Sequence, residues 1–405
     1  MTRSGPFREA IVFSLPDEAG IRTSVFYPSG EWANPYDHGL AHYVEHLAWQ
    51  NMRDAGADSG HHSNAWTSPA STAYYLDRDA DDLPNMVARL AASAAPLEMS
   101  EDIAIKERDI VLREYDLRRG EDLVAPHWSN MRADIYGDTQ WARWTMGDRA
   151  SIQGFTLENA RLLHDRSHQL ASATLLVSGP IQESAVQAAV DALTGDYEPR
   201  AEPLPLPQPF KPQSVETTVR KSTIRGLGAP RHLLLKAVPT PPGLSAAKLD
   251  VSAEILVDLL LSTKEGGLAG PLRYNSFLAN RFDLGIEAVG PSVRELWFTA
   301  VPDADVSLPA LNDGVIAALN TALTAPLQSS FQDIRDRMLA RYDGILDPAK
   351  ANYDAYDHAV ADGRDFVPLA ELRSTAAHMT FPEFSRFLAH FGAPAPTSIR
   401  LLSAI

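Results

Sequence analysis

Three histidines and a glutamate crowd the stretch HGLAHYVEHLAWQ, residues 38–50, in a chain of 405 residues with only 12 histidines. On a helix, His42 and His46 are four apart, so both imidazoles lie on one face about a turn from each other. Two imidazoles so placed hold one zinc ion at about 2.1 Å. Glu45 stands one position before the second histidine, where it reaches a water in the open coordination position and serves as its general base. The order His42-Tyr43-Val44-Glu45-His46 is H-x-x-E-H, the mirror of the commoner H-E-x-x-H metalloprotease helix. The bland alternative is a helix with polar residues on its wet side. His38 falls one turn earlier on the same face. A third imidazole from one helix would strain a tetrahedral site, so His38 reads as a surface residue or as outside support for the ligands.

A catalytic zinc takes three protein ligands and leaves the fourth place to water. With no cysteine in the chain, the third ligand must be His, Asp or Glu. Candidates lie in SEDIAIKERDIVLREYDLRRGED, residues 100–122, where Ile103, Ile105, Ile110, Val111, Leu112 and Leu117 mark a partly buried helix. Glu107 and Glu114 are seven apart and share a face two turns from each other. One can bind metal while the other supports the site through hydrogen bonds. The competing reading is an acidic face paired with Arg108, Arg113 and Arg118.

The elements that must position these residues follow a repeating order. Residues 197–213 are dense in proline, which blocks helix interiors and central strands. They act as a linker between a half over 1–196 and a half over 214–405. Each half opens with two strands, REAIVFSL and IRTSVFYP, then VETTVRKSTI and RHLLLKAV. Helices follow over 38–51 and 244–262. Each half closes with a Thr-capped helix and a strand: FTLENARLLHDRSHQL with SATLLVSG, and MTFPEFSRFLAHF with TSIRLLS. Thr156 with Glu158, and Thr380 with Glu383, occupy a cap and its acidic first turn. The pattern predicts an α+β chain of two related halves, each with helices packed on a mostly antiparallel sheet.

Composition narrows the function. The net charge of −16 argues against nucleic acid, since a phosphate backbone needs a basic face. It suits basic peptide partners, or solubility alone. MTRSGPFREAIVFSLPDEAG lacks the apolar run of a signal peptide, and nothing approaches the ~18 apolar residues of a membrane helix. The expectation is a soluble, cytoplasmic protein without membrane partners.

These residues resemble the pitrilysin family of inverzincin peptidases. Its Gly-Leu-Ala-His-x-x-Glu-His stretch stands here as Gly39 to His46. Its Asn-Ala-x-Thr strand and following Thr-x-Tyr stand as Asn64-Ala65-Trp66-Thr67 and Thr72-Ala73-Tyr74. Its Glu-Arg, Val, Glu helix stands as Glu107-Arg108, Val111 and Glu114, and its closing pattern as Gly147, Ile152, Thr156, Val177 and Gly179. The gap from His46 to Glu114 is somewhat shorter than is usual in the family. The resemblance implies a zinc endopeptidase with His42, His46 and Glu114 as ligands, Glu107 supporting them and Glu45 as base. Asn64, Ala65, Trp66 and Thr67 would then be an edge strand to which a peptide substrate adds as a further strand. Trp66 is either a pocket wall or strand packing. His61 and His62, just before, read as loop residues.

The second half has no H-x-x-E-H, and its 244–262 helix has no histidine. In the family this half supplies an Arg and, seven residues later, a Tyr that grip substrate. In GPLRYNSFLANRFDLGIEA the corresponding positions are Ser276 or Phe277 and Asp283 or Leu284, while Arg273, Tyr274 and Arg281 are out of register. This implies a hetero-oligomer in which a related chain provides the Arg/Tyr pair, as in two-chain bacterial members, some of which remove leaders from ribosomally made, modified peptides. The alternatives are a non-catalytic scaffold of the same fold and a zinc hydrolase that does not act on peptides.

Overall fold

A computed structural model of the chain describes residues 5–56, 62–195, 197–205, 208–210 and 215–405. Runs rich in β-branched and aromatic residues form two five-stranded sheets. The first holds β1 (Glu9–Ser14), β2 (Ile21–Tyr27), β3 (Ser63–Thr67), β4 (Thr72–Arg78) and β5 (Thr174–Gly179) in the order β1-β5-β2-β4-β3. The second holds β6 (Thr217–Ile224), β7 (Arg231–Pro239), β8 (Ala279–Val289), β9 (Val293–Pro302) and β10 (Thr397–Ala404) in the order β6-β10-β7-β9-β8. In each sheet the first pair is parallel and every other pair antiparallel. The two sheets therefore share one topology, and the repeat in the sequence is a repeat of architecture. Of the Pro-rich stretch, the described residues form neither helix nor strand.

Thirteen helices accompany the sheets among the described residues. They are α1 (Leu40–Asp54), α2 (Leu83–Ala91), α3 (Glu101–Glu121), α4 (Ala125–Tyr136), α5 (Arg149–Gly154), α6 (Leu157–Ser167), α7 (Glu183–Asp191), α8 (Ala246–Leu261), α9 (Leu308–Thr324), α10 (Gln328–Asp343), α11 (Pro348–Ala361), α12 (Leu369–His378) and α13 (Phe381–Gly392). None is long and apolar enough to cross a membrane. Thr156 caps α6 by accepting from the Asn159 amide, and Thr380 with Glu383 forms a full capping box on α13. On α3 only Ala104 and Val111 are buried; Ile105 and Leu117, read from sequence as partly buried, are exposed.

The chain forms two compact units. One comprises Met1–Glu121, Arg143–Gln208 and Asp347–Arg364; the other comprises Asp122–Ala142, Pro209–Leu346 and Asp365–Ile405. Two segments thus lie outside the halves that the Pro-rich stretch delimits. In the second unit, Met131 of α4 is buried with Leu233, Leu235 and Leu402 of β7 and β10. Arg132 of α4 donates to both carboxylate oxygens of Glu295, which is fully buried on β9. In the first unit, Tyr353 and Tyr356 of α11 set their rings about 6 Å from Phe13 of β1, at 5.9 and 6.1 Å.

The start of α1 depends on two glycines. Gly39 has φ +83° and Gly147 has φ +72°, a region that side chains avoid. A Cβ on Gly147 would sit 2.2 Å from the His38 carbonyl oxygen, and one on Gly39 would sit 2.7 Å from the Gly147 backbone. The two segments meet backbone to backbone. Gly147→Ala is expected to destabilise by at least ~1–3 kcal/mol from the backbone conformation alone, with the clash adding to it. Gly154→Ala, with nothing within 4 Å of its added carbon, is the control. Thermal unfolding checks the pair: equal melting temperatures for both variants would show that the close approach carries no energy.

Candidate metal centre

α1 is gripped on several sides. Leu40, Tyr43, Val44 and Leu47 pack with Val111 of α3 and Ile152 and Phe155, while Ala48 and Met52 join the core beneath the first sheet. Each fully buried Leu or Met contributes roughly 1.5–3 kcal/mol, enough to fix the helix against the polar face it carries. The Tyr43 hydroxyl donates to the Ala104 carbonyl at 2.7 Å, tying α1 to α3. Ahead of α1, fully buried Glu31 accepts from the Gly39 amide at 3.1 Å and from the Asn34 side chain at 3.2 Å. Burial pushes that carboxyl up to about 8. Because α1 begins at Leu40, His38 precedes the helix instead of extending its histidine face; it is exposed, and its charge bears on Asp148.

The structure brings His42, His46 and Glu114 together. One donor atom from each lies within 4.8 Å of the others. The Glu114 carboxylate stands 3.6 Å from His42 Nε2 and 3.9 Å from His46 Nε2. Two ligands at about 2.1 Å from a tetrahedral zinc are about 3.4 Å apart, so the three donors fit such an ion with a small contraction. Glu107 lies 3.3 Å from His46 Nδ1, the ring nitrogen turned away from Glu114. A carboxylate there orients the imidazole and leaves its Nε2 lone pair free for a metal. His42 Nδ1 has no hydrogen-bond partner among the described residues, and that ring lies edge-on to His46 with centroids 4.9 Å apart.

Glu45 is buried beside the triad, and Thr67 donates to its carboxylate at 2.6 Å. Burial, opposed by His46 and Thr67 and reinforced by Glu114, raises Glu45 to about 7. Burial lowers His42 to about 3, with help from the charges of His46 and Arg118, which keeps that ring neutral. His46 is raised: its burial acts the other way, but Glu107, Glu45 and Glu114 outweigh it. A divalent cation among the donors favours neutral imidazoles and ionised carboxylates.

The centre opens into a cavity of about 490 Å³. Asn64, Ala65, Trp66 and Thr67 line one side on β3, the edge strand of the first sheet. Trp66 is both wall and packing, since its ring also sits 6.0 Å from buried Phe26. Sequence reasoning missed Trp49, Arg118, Trp144, Thr145 and Met146, which complete the wall. Only Arg118 and Trp49 carried a signal, being on the same helices as the motif. A larger hollow of about 670 Å³ lies elsewhere in this unit and includes His62, but its Arg22 is committed to Asp77 at 2.6 Å and no metal-ligating group gathers there among the described residues. His61 lies outside the described residues. In the second unit, Tyr274 and Phe277 are exposed, Arg281 is exposed on β8, and Asp283 accepts from the Leu284 amide.

Comparisons with known proteins agree with this geometry. Residues 25–149 match the profile of the insulinase peptidases, peptidase family M16. A protein assigned as the beta subunit of mitochondrial-processing peptidase in Schizosaccharomyces pombe is 28% identical over 198 residues, 45% of this chain and 42% of that one. Protease 3 of Salmonella typhimurium is 35% identical over 127 residues, 28% of this chain and 13% of that one. The similarity thus spans less than half of either relative. In fold, an M16-like peptidase from Alicyclobacillus acidocaldarius superposes with a TM-score of 0.80 at 15% identity, covering 100% of this chain and 98% of that one. The segment that holds both histidines and Glu114 is the segment that matches the insulinase profile of peptidase family M16.

Proposed function

We propose that this chain is the zinc-bearing subunit of an endopeptidase that hydrolyses short, unfolded peptides, with His42, His46 and Glu114 as the metal ligands. The observation that carries this reading is the gathering of those three donors around one point with buried Glu45 beside them. A zinc ion held there supplies polarisation of the scissile carbonyl and acidification of water. The outer side of β3 pairs with no strand among the described residues, so a peptide adds there as another strand. That brings its backbone alongside Asn64, Ala65, Trp66 and Thr67. Glu45 accepts a proton from the attacking water and returns it to the leaving amine. Thr67 restrains the carboxylate during both transfers, and Glu107 keeps the His46 ring aligned.

Stabilising charge on the carbonyl oxygen needs donors, and losing one costs about 10²–10³ in rate. The family's Arg/Tyr pair has no counterpart in register within 270–288, so the proposal includes a related partner chain of similar length that carries the pair and a degenerate zinc motif. Leader removal from a ribosomally made, modified peptide suits such an enzyme, and the cytoplasm is its proposed setting. The test is digestion of a peptide library by the zinc-loaded protein, alone and mixed with related chains encoded beside it. Cleavage that a chelator abolishes and a partner strongly increases is expected. Full activity from the chain alone would sink the two-chain arrangement. Zinc binding with no cleavage in any mixture would favour the non-catalytic scaffold.

A further inference from the structure

The end of α3 carries two adjacent arginines that are used differently. Arg119 is packed: its guanidinium lies over the Tyr115 ring at 5.4 Å and the Trp144 ring at 5.1 Å. Those two rings are themselves 5.7 Å apart. Arg118 is not packed. It lines the 490 Å³ cavity and makes no ion pair and no hydrogen bond among the described residues. The carboxylate of Asp116, two residues before it, is committed to Arg149. Arg118 follows Glu114 by four residues, so both side chains leave the same face of α3. Its positive charge is felt at His42 and at Glu45.

An unpaired guanidinium beside a reaction centre calls for an anionic group, and its planar fork fits a carboxylate. The four-residue step along α3 moves Arg118 about 6 Å from Glu114. An extended peptide advances about 3.3 Å per residue. The group Arg118 meets is therefore one or two residues from the scissile bond, and not the reacting carbonyl itself. From this placement we infer that Arg118 is a specificity-determining residue that receives a substrate carboxylate, carried either by an acidic side chain next to the cleavage site or by the peptide's own C-terminus. The inference rests on the peptidase reading and adds the substrate class: peptides acidic on one side of the cut. Trp144, held by Arg119, walls the same cavity, so the aliphatic part of an acidic residue meets an aromatic face there.

The test uses the full-length, zinc-loaded chain carrying Glu45→Gln, so that peptides are bound without being cut. Affinities are read by fluorescence anisotropy for labelled peptides with Glu, Gln or Lys beside the cleavage position, each with a free or an amidated C-terminus. Affinity on the order of 10–100-fold higher for the carboxylate is expected. The Glu/Gln arm and the free/amidated arm tell a side chain from a terminus. Arg118→Lys should keep part of the preference, Arg118→Ala should lose it, and Arg118→Glu should turn it toward Lys. Equal affinity across the set, no binding of any acidic peptide, or an unchanged preference in Arg118→Glu would overturn the inference. The same peptides are then offered to the protein with Glu45 intact. Cleavage without acid preference would sink the role of Arg118 and leave the peptidase reading standing. Acid-selective binding without cleavage, with any related chain added, would do the reverse. An equal loss of kcat for every peptide in Arg118→Ala would move the residue to the reacting carbonyl and so overturn it as a specificity determinant.

Discussion

Glu45→Gln is expected to lower peptide turnover by a factor on the order of 10²–10⁴ while zinc content stays at about one per chain. The substitution keeps the shape of a buried side chain, and its amide oxygen still accepts from Thr67. What is lost is a group that can take a proton. A carboxylate in this position both receives a proton from water and gives one to the leaving amine, and an amide does neither. Metal analysis alongside steady-state kinetics separates the two effects. Wild-type turnover with zinc retained would mean that Glu45 is not the base. Loss of zinc together with activity would mean that its charge is needed to hold the metal.

The second large effect concerns the metal itself. His42→Ala and His46→Ala should abolish stoichiometric zinc, because two donors remain where a tetrahedral ion takes three from the protein. Glu114→Gln should follow them closely: its oxygen lies 3.6 Å from His42 and 3.9 Å from His46, between the rings. Glu107→Gln should cost only ~10–100-fold in affinity, since it touches the His46 ring nitrogen that points away from the triad. Zinc titrations monitored by a competing chelator give the ranking directly. A larger loss for Glu107→Gln than for Glu114→Gln would exchange their roles.

Much of the centre could be read from residue spacing, because its chemistry is periodic. Four residues from His42 to His46 and seven from Glu107 to Glu114 are whole turns of helix, and helices translate spacing into faces. The repeated order of elements along the chain also followed from pattern, whereas the order of strands within each sheet did not. What spacing cannot express is contact between distant segments. Glu31 under Gly39, and Trp144 against Arg119, arise where loops meet helices, and neither loop has a period. Arg118 was legible only as one more charge on an acidic helix; that it has no hydrogen bond or ion pair among the described residues is a property of the fold. His38 shows the opposite error. Its spacing fits the α1 face, but Gly39 in the left-handed region ends the helix before reaching it.

The placement of α4 and α11 has a consequence for how the chain reaches its native state. Residues 122–142 are completed by a sheet made largely later in the chain, and β1, made early, receives a helix from residues 347–364. Phe13 must wait for Tyr353, and Met131 for Leu402. Contacts so distant in sequence raise the contact order and slow folding. During synthesis the N-terminal half would emerge with the Phe13 face of β1 bare and with α4 unattached, although the metal-binding residues are already present. Severing the chain near residue 208 would not yield two self-sufficient domains. It would yield two fragments that complement each other, and the order of assembly, more than the stability of either sheet, would govern when a competent centre forms.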